Sequence, residues 1–264
     1  MNPVRDAVFT ALHSDPRAQA LNEFFRCGAE IYVVAGALRD AIVTQYEGEG
    51  DRTPRDFDIV IGRLCRGDFD AVLQAFGRRN RHGGYLLPAA GAPNWDVWRL
   101  EETIGLRKTG APRSIENVLR TFNLDCNAVA MDLRTGLVLD GGAIKAVRQR
   151  RVDFVHHAIP HSEDTFAAKA LLLNLRLKYA MSGELRRFVT AHLHFPTLAY
   201  EARKVFPNFV TVASVRDAHR ELPLLGSEIA GGAAPHRAMS EPLAPASVSA
   251  TTAIWSDSEV WGGL

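Results

Sequence analysis

The sequence predicts an α+β head, in which helices flank a mixed sheet, followed by a small helical domain. Short β-branched runs alternate with helix-like spacing over the first part of the chain, which predicts the sheet and its flanking helices. From about residue 160 the apolar spacing becomes helical, and after about residue 224 the chain turns to Gly, Ala, Pro and Ser. We therefore expect a head at 1–157, a helical domain at 158–223 and a flexible tail at 224–264.

The composition is that of a globular protein with no general affinity for polyanions. Of 264 residues, 47% are apolar and 23% are charged, and the formal net charge is +1, so any polyanion site must be a local patch. The three cysteines show no CxxC spacing, which argues for a reducing compartment and against structural zinc. The sequence shows neither a signal-peptide pattern nor 18 uncharged apolar residues in a row, so we expect a cytoplasmic protein that does not enter membranes.

The elements of the first half follow in order. Apolar spacing predicts helix over 4–26, a β-branched run predicts a strand at 31–34, and helical spacing resumes at about 37–43. Glycines and a proline mark 47–55 as a loop, and alternating acidic and apolar residues predict a strand at 56–61.

Further elements are predicted downstream from the same patterns. They comprise a helix at 68–76 with Asp68 as its N-cap, a hairpin-like segment at 80–87, a strand at 94–100, a loop at 108–112, a helix at 114–121, a hairpin at 127–139, and helices over 163–193, 197–206 and 209–221.

Asp56 and Asp58 are the first candidates for chemistry. Residues two apart in a strand point to the same side, so both carboxylates stand on one face while Phe57 faces the other. A divalent cation relieves the repulsion between such charges, and Mg²⁺ favours carboxylates together with phosphate oxygens. Asp96, on a later strand, is a candidate third carboxylate, and three carboxylates can support two metal ions. Taken alone, the Asp-x-Asp pattern is also compatible with a solvated strand end.

A small-residue turn at Ala35 and Gly36 opens the helix that follows the first strand. Small residues let backbone N–H groups approach phosphate oxygens, and a helix N-terminus favours negative charge. Arg39 can add a charged contact to an anion bound there. The alternative is a tight turn in which Arg39 and Asp40 are solvated helix charges.

These segments, VVAGALRDAIV and RDFDIVIG, together resemble the head domain of the tRNA nucleotidyltransferase and bacterial poly(A) polymerase family, within the DNA polymerase β-like superfamily. That family carries a Gly-Gly-x-x-Arg-Asp turn followed by an Asp-x-Asp strand, and Ala35 stands here for the first glycine. The segment NWDVWRLEET resembles the superfamily's third-carboxylate strand. The resemblance implies Mg²⁺-dependent transfer of a nucleotide from a nucleoside triphosphate, with metal and catalytic roles for Asp56, Asp58 and Asp96 and nucleotide-binding roles for Ala35, Gly36, Arg39 and Asp40.

Two later segments resemble the family's sugar and base motifs. TFNLDCNAVAMDL is similar to Arg-Arg-Asp-Phe-Thr-x-Asn-x-x-Ala: Asn127 matches, Phe122 and Asn123 occupy the Arg-Asp positions, and Asp125 is a possible substitute. EDTFAAKALLLNLRLKY resembles the neck helix, which carries Glu-Asp-x-x-Arg-x-x-Arg and reads the base, although Ala167 occupies the first arginine position. With one deletion the later basic positions align, so the resemblance implies nucleotide-binding roles for Asn127, Asp164, Lys169 and Arg176.

Two functional hypotheses follow. The first is an active nucleotidyltransferase whose acceptor is an RNA 3′ end, a protein side chain or a small molecule, with RNA preferred because of the family. The second is a non-catalytic nucleotide-sensing or partner-binding module, suggested by the changed sugar and base motifs.

Two basic runs, at 78–82 and 148–151, are candidate nucleic-acid contacts or solvated faces. His156, His157 and His161 are candidates for binding a metal or for a packing role. The oligomeric state is left open.

Overall fold

The computed structural model describes residues 3–48, 54–155 and 162–205. The domain boundary predicted between residues 157 and 158 lies outside these ranges, as do the helix predicted at 209–221, the tail predicted at 224–264 and the three histidines of 156–161.

The described residues form two compact units. The first contains residues up to 100 together with 129–141, and the second contains 101–128 together with residues from 142 onward. The predicted fold class is confirmed, because a mixed sheet with flanking helices is followed along the chain by helices.

The first unit holds a seven-stranded sheet and four helices. The helices are α1 (Pro3–His13), α2 (Ala18–Arg26), α3 (Gly36–Glu47) and α4 (Arg66–Leu73). The strands are β1 (Glu30–Val34), β2 (Asp56–Gly62), β3 (Arg78–Arg79), β4 (Tyr85–Leu87), β5 (Asn94–Arg99), β6 (Val129–Asp132) and β7 (Val138–Asp140). The strand order is β3-β4-β5-β2-β1-β6-β7, in which β2 and β5 run parallel and the other neighbouring pairs run antiparallel.

The second unit is mainly helical. Its elements are α5 (Ile104–Thr109), α6 (Ile115–Arg120), α7 (Ala143–Gln149), β8 (Arg151–Val152), α8 (Glu163–Leu177), β9 (Ala180–Met181), α9 (Gly183–His192) and α10 (Phe195–Val205), with a 3-10 turn at Asp125–Asn127. The strands β8 and β9 pair in parallel.

The central strands are the core of the first unit. Three successive residues of β2, Ile59, Val60 and Ile61, are fully buried, so both faces of the sheet are covered at this level. Each such side chain contributes about 1.5–3 kcal/mol of burial free energy. Near the start of β2 only one face of the sheet is covered, because Phe57 is buried while Asp56 and Asp58, on the opposite face, are partly exposed.

The single helix predicted over 4–26 is wrong, because two helices are separated by residues 14–17. Pro16 lacks an N–H and disfavours the helical conformation in the residue before it. Arg17 folds back on Asp15, with 2.8 Å between its Nε and Oδ1, and both side chains are buried. This buried ion pair fixes the corner between α1 and α2.

The predicted N-cap of α4 is also wrong. The helix begins at Arg66, and Cys65 is the N-cap, whose Sγ accepts the N–H of Asp68 at 3.4 Å. Asp68 therefore lies in the first turn, where a negative charge is favourable for the helix dipole.

Helix over the whole of 163–193 is likewise wrong. The chain leaves α8 at Lys178, which adopts a left-handed conformation with φ of 56°, and forms the short strand β9 before α9 begins. The loop predicted at 108–112 begins two residues later than expected, because Lys108 and Thr109 close α5 and Gly110 supplies its left-handed cap.

Within the described ranges, no helix combines the length and apolar character needed to cross a membrane. The cytoplasmic location stays a prediction.

Candidate active site

The three predicted carboxylates lie on one face of the sheet. Asp58 is the register partner of Asp96 across the parallel strands β2 and β5. Paired residues of neighbouring strands face the same side, and Asp56 lies two residues before Asp58, so all three carboxylates share that side. The register therefore brings together residues that are far apart in sequence.

The opposite face of the same strands is packed. Phe57 and Trp95, themselves register partners, are 1% and 0% exposed. The acidic face is thus the one that remains accessible, and the apolar partners beneath it fix the two strands in register.

The carboxylates perturb one another. Burial raises the pKa of Asp58 to about 7, and the negative charges of Asp56 and Asp96 add to this rise, while nearby arginines oppose it. The pKa of Asp96 is also raised by burial and by Asp56, although a hydrogen bond from Asn80 acts in the opposite direction. A group of carboxylates that repel one another is a favourable place for a cation.

Two of the three carboxylates accept hydrogen bonds from neighbouring side chains. The Nε of Arg55 lies 3.0 Å from Oδ2 of Asp56, and Nδ2 of Asn80 lies 3.0 Å from Oδ1 of Asp96. In the part of the chain that the structure describes, no three His, Cys, Asp or Glu side chains are grouped closely enough to form a ready-made metal site. The all-oxygen donor set fits Mg²⁺ by its chemistry, and the metal role of these residues stays a prediction.

The turn before α3 differs from the predicted anion cradle in one respect. Ala35 has a positive φ of 58° with ψ of −120°, and its N–H donates to the carbonyl of Val129 at 3.0 Å. The sheet thus uses the amide of Ala35, and the nucleotide-binding role of Ala35 stays a prediction. The amides that lack an intrahelical partner begin with Gly36, in the first turn of α3.

Arg39 and Asp40 are a buried ion pair, so solvated helix charges are excluded. Their exposed fractions are 5% and 2%, and Nε and one terminal nitrogen of Arg39 lie 2.9 and 2.8 Å from Oδ1 of Asp40. A side chain added at Gly36 would come within 3.7 Å of the Arg39 guanidinium, which places that guanidinium beside the helix N-terminus. The buried carboxylate of Asp40 therefore holds the Arg39 guanidinium in place.

Among the comparisons with known proteins, the one with solved structures gives matches, and these agree on the fold. No protein-family model matches the sequence, and no curated protein sequence is significantly similar to it. Among solved structures, a Thermotoga maritima CCA-adding enzyme complexed with tRNA matches with a TM-score of 0.56 and 17% identity, over 80% of this chain and 52% of that one. A CCA-adding enzyme with CTP gives 0.55 and 17% over 83% and 55%, and a tRNA-processing enzyme in an apo form gives 0.56 and 15% over 81% and 57%.

The chain has the nucleotidyltransferase head fold of CCA-adding enzymes. The likeness at 15–17% identity is one of fold, and the chain spans about half the length of the structures it matches.

The other residues that are predicted to bind the nucleotide lie in the second unit, outside the seven-stranded sheet. Asp164 accepts a hydrogen bond from Oγ1 of Thr197 at 2.8 Å, which joins α8 to α10. Lys169 and Arg176 are half-buried on α8, and Asn127 closes the 3-10 turn. Their nucleotide-binding roles stay predictions.

Asp125, the possible substitute in the sugar motif, has structural partners. Its Oδ1 accepts the N–H groups of Cys126 and Asp153 at 2.7 and 2.9 Å. Burial raises its pKa to about 6, although these backbone hydrogen bonds act against the rise. The carboxylate therefore holds the 3-10 turn against the chain at Asp153.

Asn80 is the residue of the head that the sequence analysis missed. Its Oδ1 accepts the N–H groups of His82 and Gly84 at 2.9 and 3.1 Å, so its side-chain amide nitrogen is turned toward Asp96. An Asn before a Gly-Gly turn between two short strands is typical of such a side-chain-closed turn. The sequence predicts the turn, whereas the contact with Asp96 depends on the pairing of β4 with β5.

Proposed function

We propose that the protein is a Mg²⁺-dependent nucleotidyltransferase that moves a nucleoside monophosphate from a nucleoside triphosphate to an RNA 3′ end. The observation that carries the proposal is the register of Asp58 with Asp96, which puts three carboxylates on the accessible face of a nucleotidyltransferase head. The matching structures include enzymes solved with tRNA, CTP and ATP, which supports the same classes of ligand here.

Asp56, Asp58 and Asp96 would hold the metal. Mg²⁺ bound to these carboxylates would neutralise charge on the triphosphate and on the leaving pyrophosphate. The raised pKa values of Asp58 and Asp96 reflect the burial and mutual repulsion of these carboxylates, which such a cation would relieve.

The protein's own groups would position the reactants. We assign Asp96 to the acceptor hydroxyl, from which its carboxylate accepts the proton as the oxygen attacks the α-phosphorus. The new phosphorus–oxygen bond forms as the bond to the β-phosphate oxygen breaks, and pyrophosphate leaves with that electron pair. Asn80 would orient Asp96 through its 3.0 Å hydrogen bond.

The N-terminus of α3 would hold the triphosphate. The amides that begin at Gly36 and the guanidinium of Arg39 supply donors and positive charge at one place. Asp40 fixes Arg39 in that orientation through two hydrogen bonds to one carboxylate oxygen. Positioning and charge neutralisation are the main contributions to catalysis in this class of reaction.

A second candidate is a nucleotide-sensing or partner-binding module without turnover. Arg55 and Asn80 engage two of the three carboxylates. Phe122 and Ala167 stand where the resemblance leads one to expect arginines, and Asn123 stands where it leads one to expect an aspartate. A protein or small-molecule acceptor is the remaining alternative for an active enzyme.

One labelling experiment separates these functions. The full chain is incubated with Mg²⁺ and each α-labelled nucleoside triphosphate, together with cell RNA, lysate protein or small metabolites. Asp56→Ala is compared with Asp6→Ala, a carboxylate in the first turn of α1 that serves as the matched control. Label on RNA that is lost only in Asp56→Ala supports the proposal.

The other outcomes are equally clear. Label that appears only on protein or on small molecules would support nucleotide transfer and exclude RNA as the acceptor. No label with any pool, together with a Mg²⁺-dependent thermal shift by triphosphates, supports the sensing module and rejects the enzyme.

A further inference from the structure

A row of paired residues runs across the sheet from its edge to the acidic face. Arg78 on β3 pairs with Leu86 on β4, Leu86 pairs with Asp96 on β5, and Asp96 pairs with Asp58 on β2. Directly paired residues share a face, so Arg78 is on the side of the sheet that carries the carboxylates. Neighbouring strands lie about 4.8 Å apart, which puts the backbones of Arg78 and Asp96 roughly 10 Å apart.

A side-chain contact agrees with this assignment of faces. Asn80 follows Arg78 by two residues, and Nδ2 of Asn80 reaches Oδ1 of Asp96 at 3.0 Å. The turn after β3 is held by the hydrogen bonds that Asn80 accepts from His82 and Gly84. The segment carrying Arg78 is therefore fixed to the strand that carries Asp96.

The charge around Arg78 is positive and exposed. The sequence contains no Asp or Glu between Asp70 and Asp96, Arg79 lies beside Arg78 on β3, and the turn that follows carries Arg81. Arg78 is exposed, and no carboxylate pairs with it among the described residues. A guanidinium in this position is available to an anion from solution.

Arg79 is a natural comparison for Arg78. It is exposed, belongs to the same two-residue strand, and carries the same charge. It pairs with Tyr85, which pairs with Val97, and both of these partners are buried on the other face of the sheet. The two arginines thus differ mainly in the face of the sheet to which they belong.

We propose that Arg78 binds a backbone phosphate of a polynucleotide acceptor whose 3′ end reaches Asp96. Arginine matches phosphate with two parallel hydrogen bonds, and its long side chain can cover much of the distance between the β3 edge and the carboxylates. A protein acceptor offers no regular phosphates, so the charge of Arg78 favours a nucleic-acid strand. The inference rests on the proposed function only in treating this strand as the acceptor, since the binding itself requires no turnover.

Binding is tested first, with the full chain and a 5′-fluorescent single-stranded RNA that has a free 3′ hydroxyl. Dissociation constants are measured over a range of salt for the wild type, Arg78→Ala, Arg79→Ala and Arg78→Lys. We expect Arg78→Ala to weaken binding roughly 3- to 10-fold and to lower the salt slope by about 1. Arg79→Ala should bind like the wild type, and Arg78→Lys should recover much of the loss. Circular dichroism checks that the exposed substitutions leave the fold intact.

Transfer kinetics then separate failure of this inference from failure of the proposed function. In an active enzyme, Arg78→Ala should raise KM for the RNA and leave kcat and KM for the nucleotide within about twofold. If the wild type binds RNA through Arg78 but transfers no nucleotide, the result would support the RNA-binding role of Arg78 and contradict the proposed transferase activity. Equal losses in both arginine variants, no loss in either, or no RNA binding by the wild type would each overturn the assignment of Arg78.

Discussion

Asn80 donates its side-chain amide to Asp96, with 3.0 Å between Nδ2 and Oδ1. The orientation of the Asn80 amide is fixed by its own turn, because its Oδ1 accepts hydrogen bonds from two backbone N–H groups, those of His82 and Gly84. Asp96 therefore does not lie free on β5, but is held by a residue 16 positions earlier in the chain. This arrangement leads to the first prediction.

Removal of Asn80 should change the acid limb of the pH–rate profile. The hydrogen bond from Asn80 lowers the pKa of Asp96, against the rise that burial causes. In Asn80→Ala this stabilisation of the carboxylate is lost, so the acid limb of kcat should move to higher pH, and Asn80→Asp should move it further because of like-charge repulsion. KM for the nucleotide should stay within about twofold. An unchanged profile in both variants would show that Asn80 closes only the turn.

Asp58 should make the metal-free protein less stable as the pH rises. Its pKa is raised from 3.8 to about 7 in the folded state, so between these values the folded chain binds more protons than the unfolded chain. The free energy of unfolding should therefore fall as the pH rises from about 4 to 7, by on the order of 1–2 kcal/mol for a partly exposed group. Thermal melts in EDTA would measure this change.

The variant Asp58→Asn supplies the comparison for that pH dependence. It removes the titrating carboxylate, so its melting temperature should depend less on pH and exceed that of the wild type at pH 8. Parallel pH curves for the two proteins would reject the raised pKa of Asp58.

Ala35→Gly should stabilise the protein. The φ of 58° and ψ of −120° at Ala35 belong to a region that glycine occupies with little strain and other residues do not. Relief of that strain should raise the free energy of unfolding by about 1 kcal/mol. Ala37→Gly, two residues further on and inside α3, should lower it by about 1 kcal/mol. Urea denaturation measures both, and changes of the same sign would contradict the strained turn.

Arg39→Lys should weaken triphosphate binding. Lysine keeps the charge but cannot make the two hydrogen bonds that Arg39 forms with Oδ1 of Asp40, so the cation loses its fixed orientation. We expect the dissociation constant for a Mg²⁺-triphosphate to rise roughly tenfold. Arg26→Lys is the matched control, since Arg26 is 74% exposed in its pair with Glu23. A lower stability with unchanged nucleotide affinity would leave Arg39 a purely structural role.

The sequence predicts the local parts of the first unit well. The β-branched run of β1, the helix spacing of α3 and the alternation in β2 depend on neighbours in the chain, and the structure has each of them. The placement of Asp56 and Asp58 on one face follows from the strand period alone.

Other features depend on partners distant in sequence. The register of Asp58 with Asp96 comes from parallel pairing between β2 and β5, which periodicity does not specify. At the break between α1 and α2, the guanidinium of Arg17 donates to the carbonyls of Leu87 and Pro93, which lie 70 and 76 positions away. The amide of Ala35 is taken up by a strand 94 residues further along, at Val129. Tertiary contacts of this kind override local propensity.

The central claim is that the carboxylates on β2 and β5 catalyse transfer together. The most direct measurement is the Mg²⁺-dependent rate of nucleotide incorporation into RNA by Asp58→Asn and by Asp96→Asn, with Asp6→Asn as the control. We predict that each of the first two variants loses about 100-fold or more in kcat and that the control stays within about twofold of the wild type. Incorporation by Asp96→Asn at a rate close to that of the wild type would contradict the account.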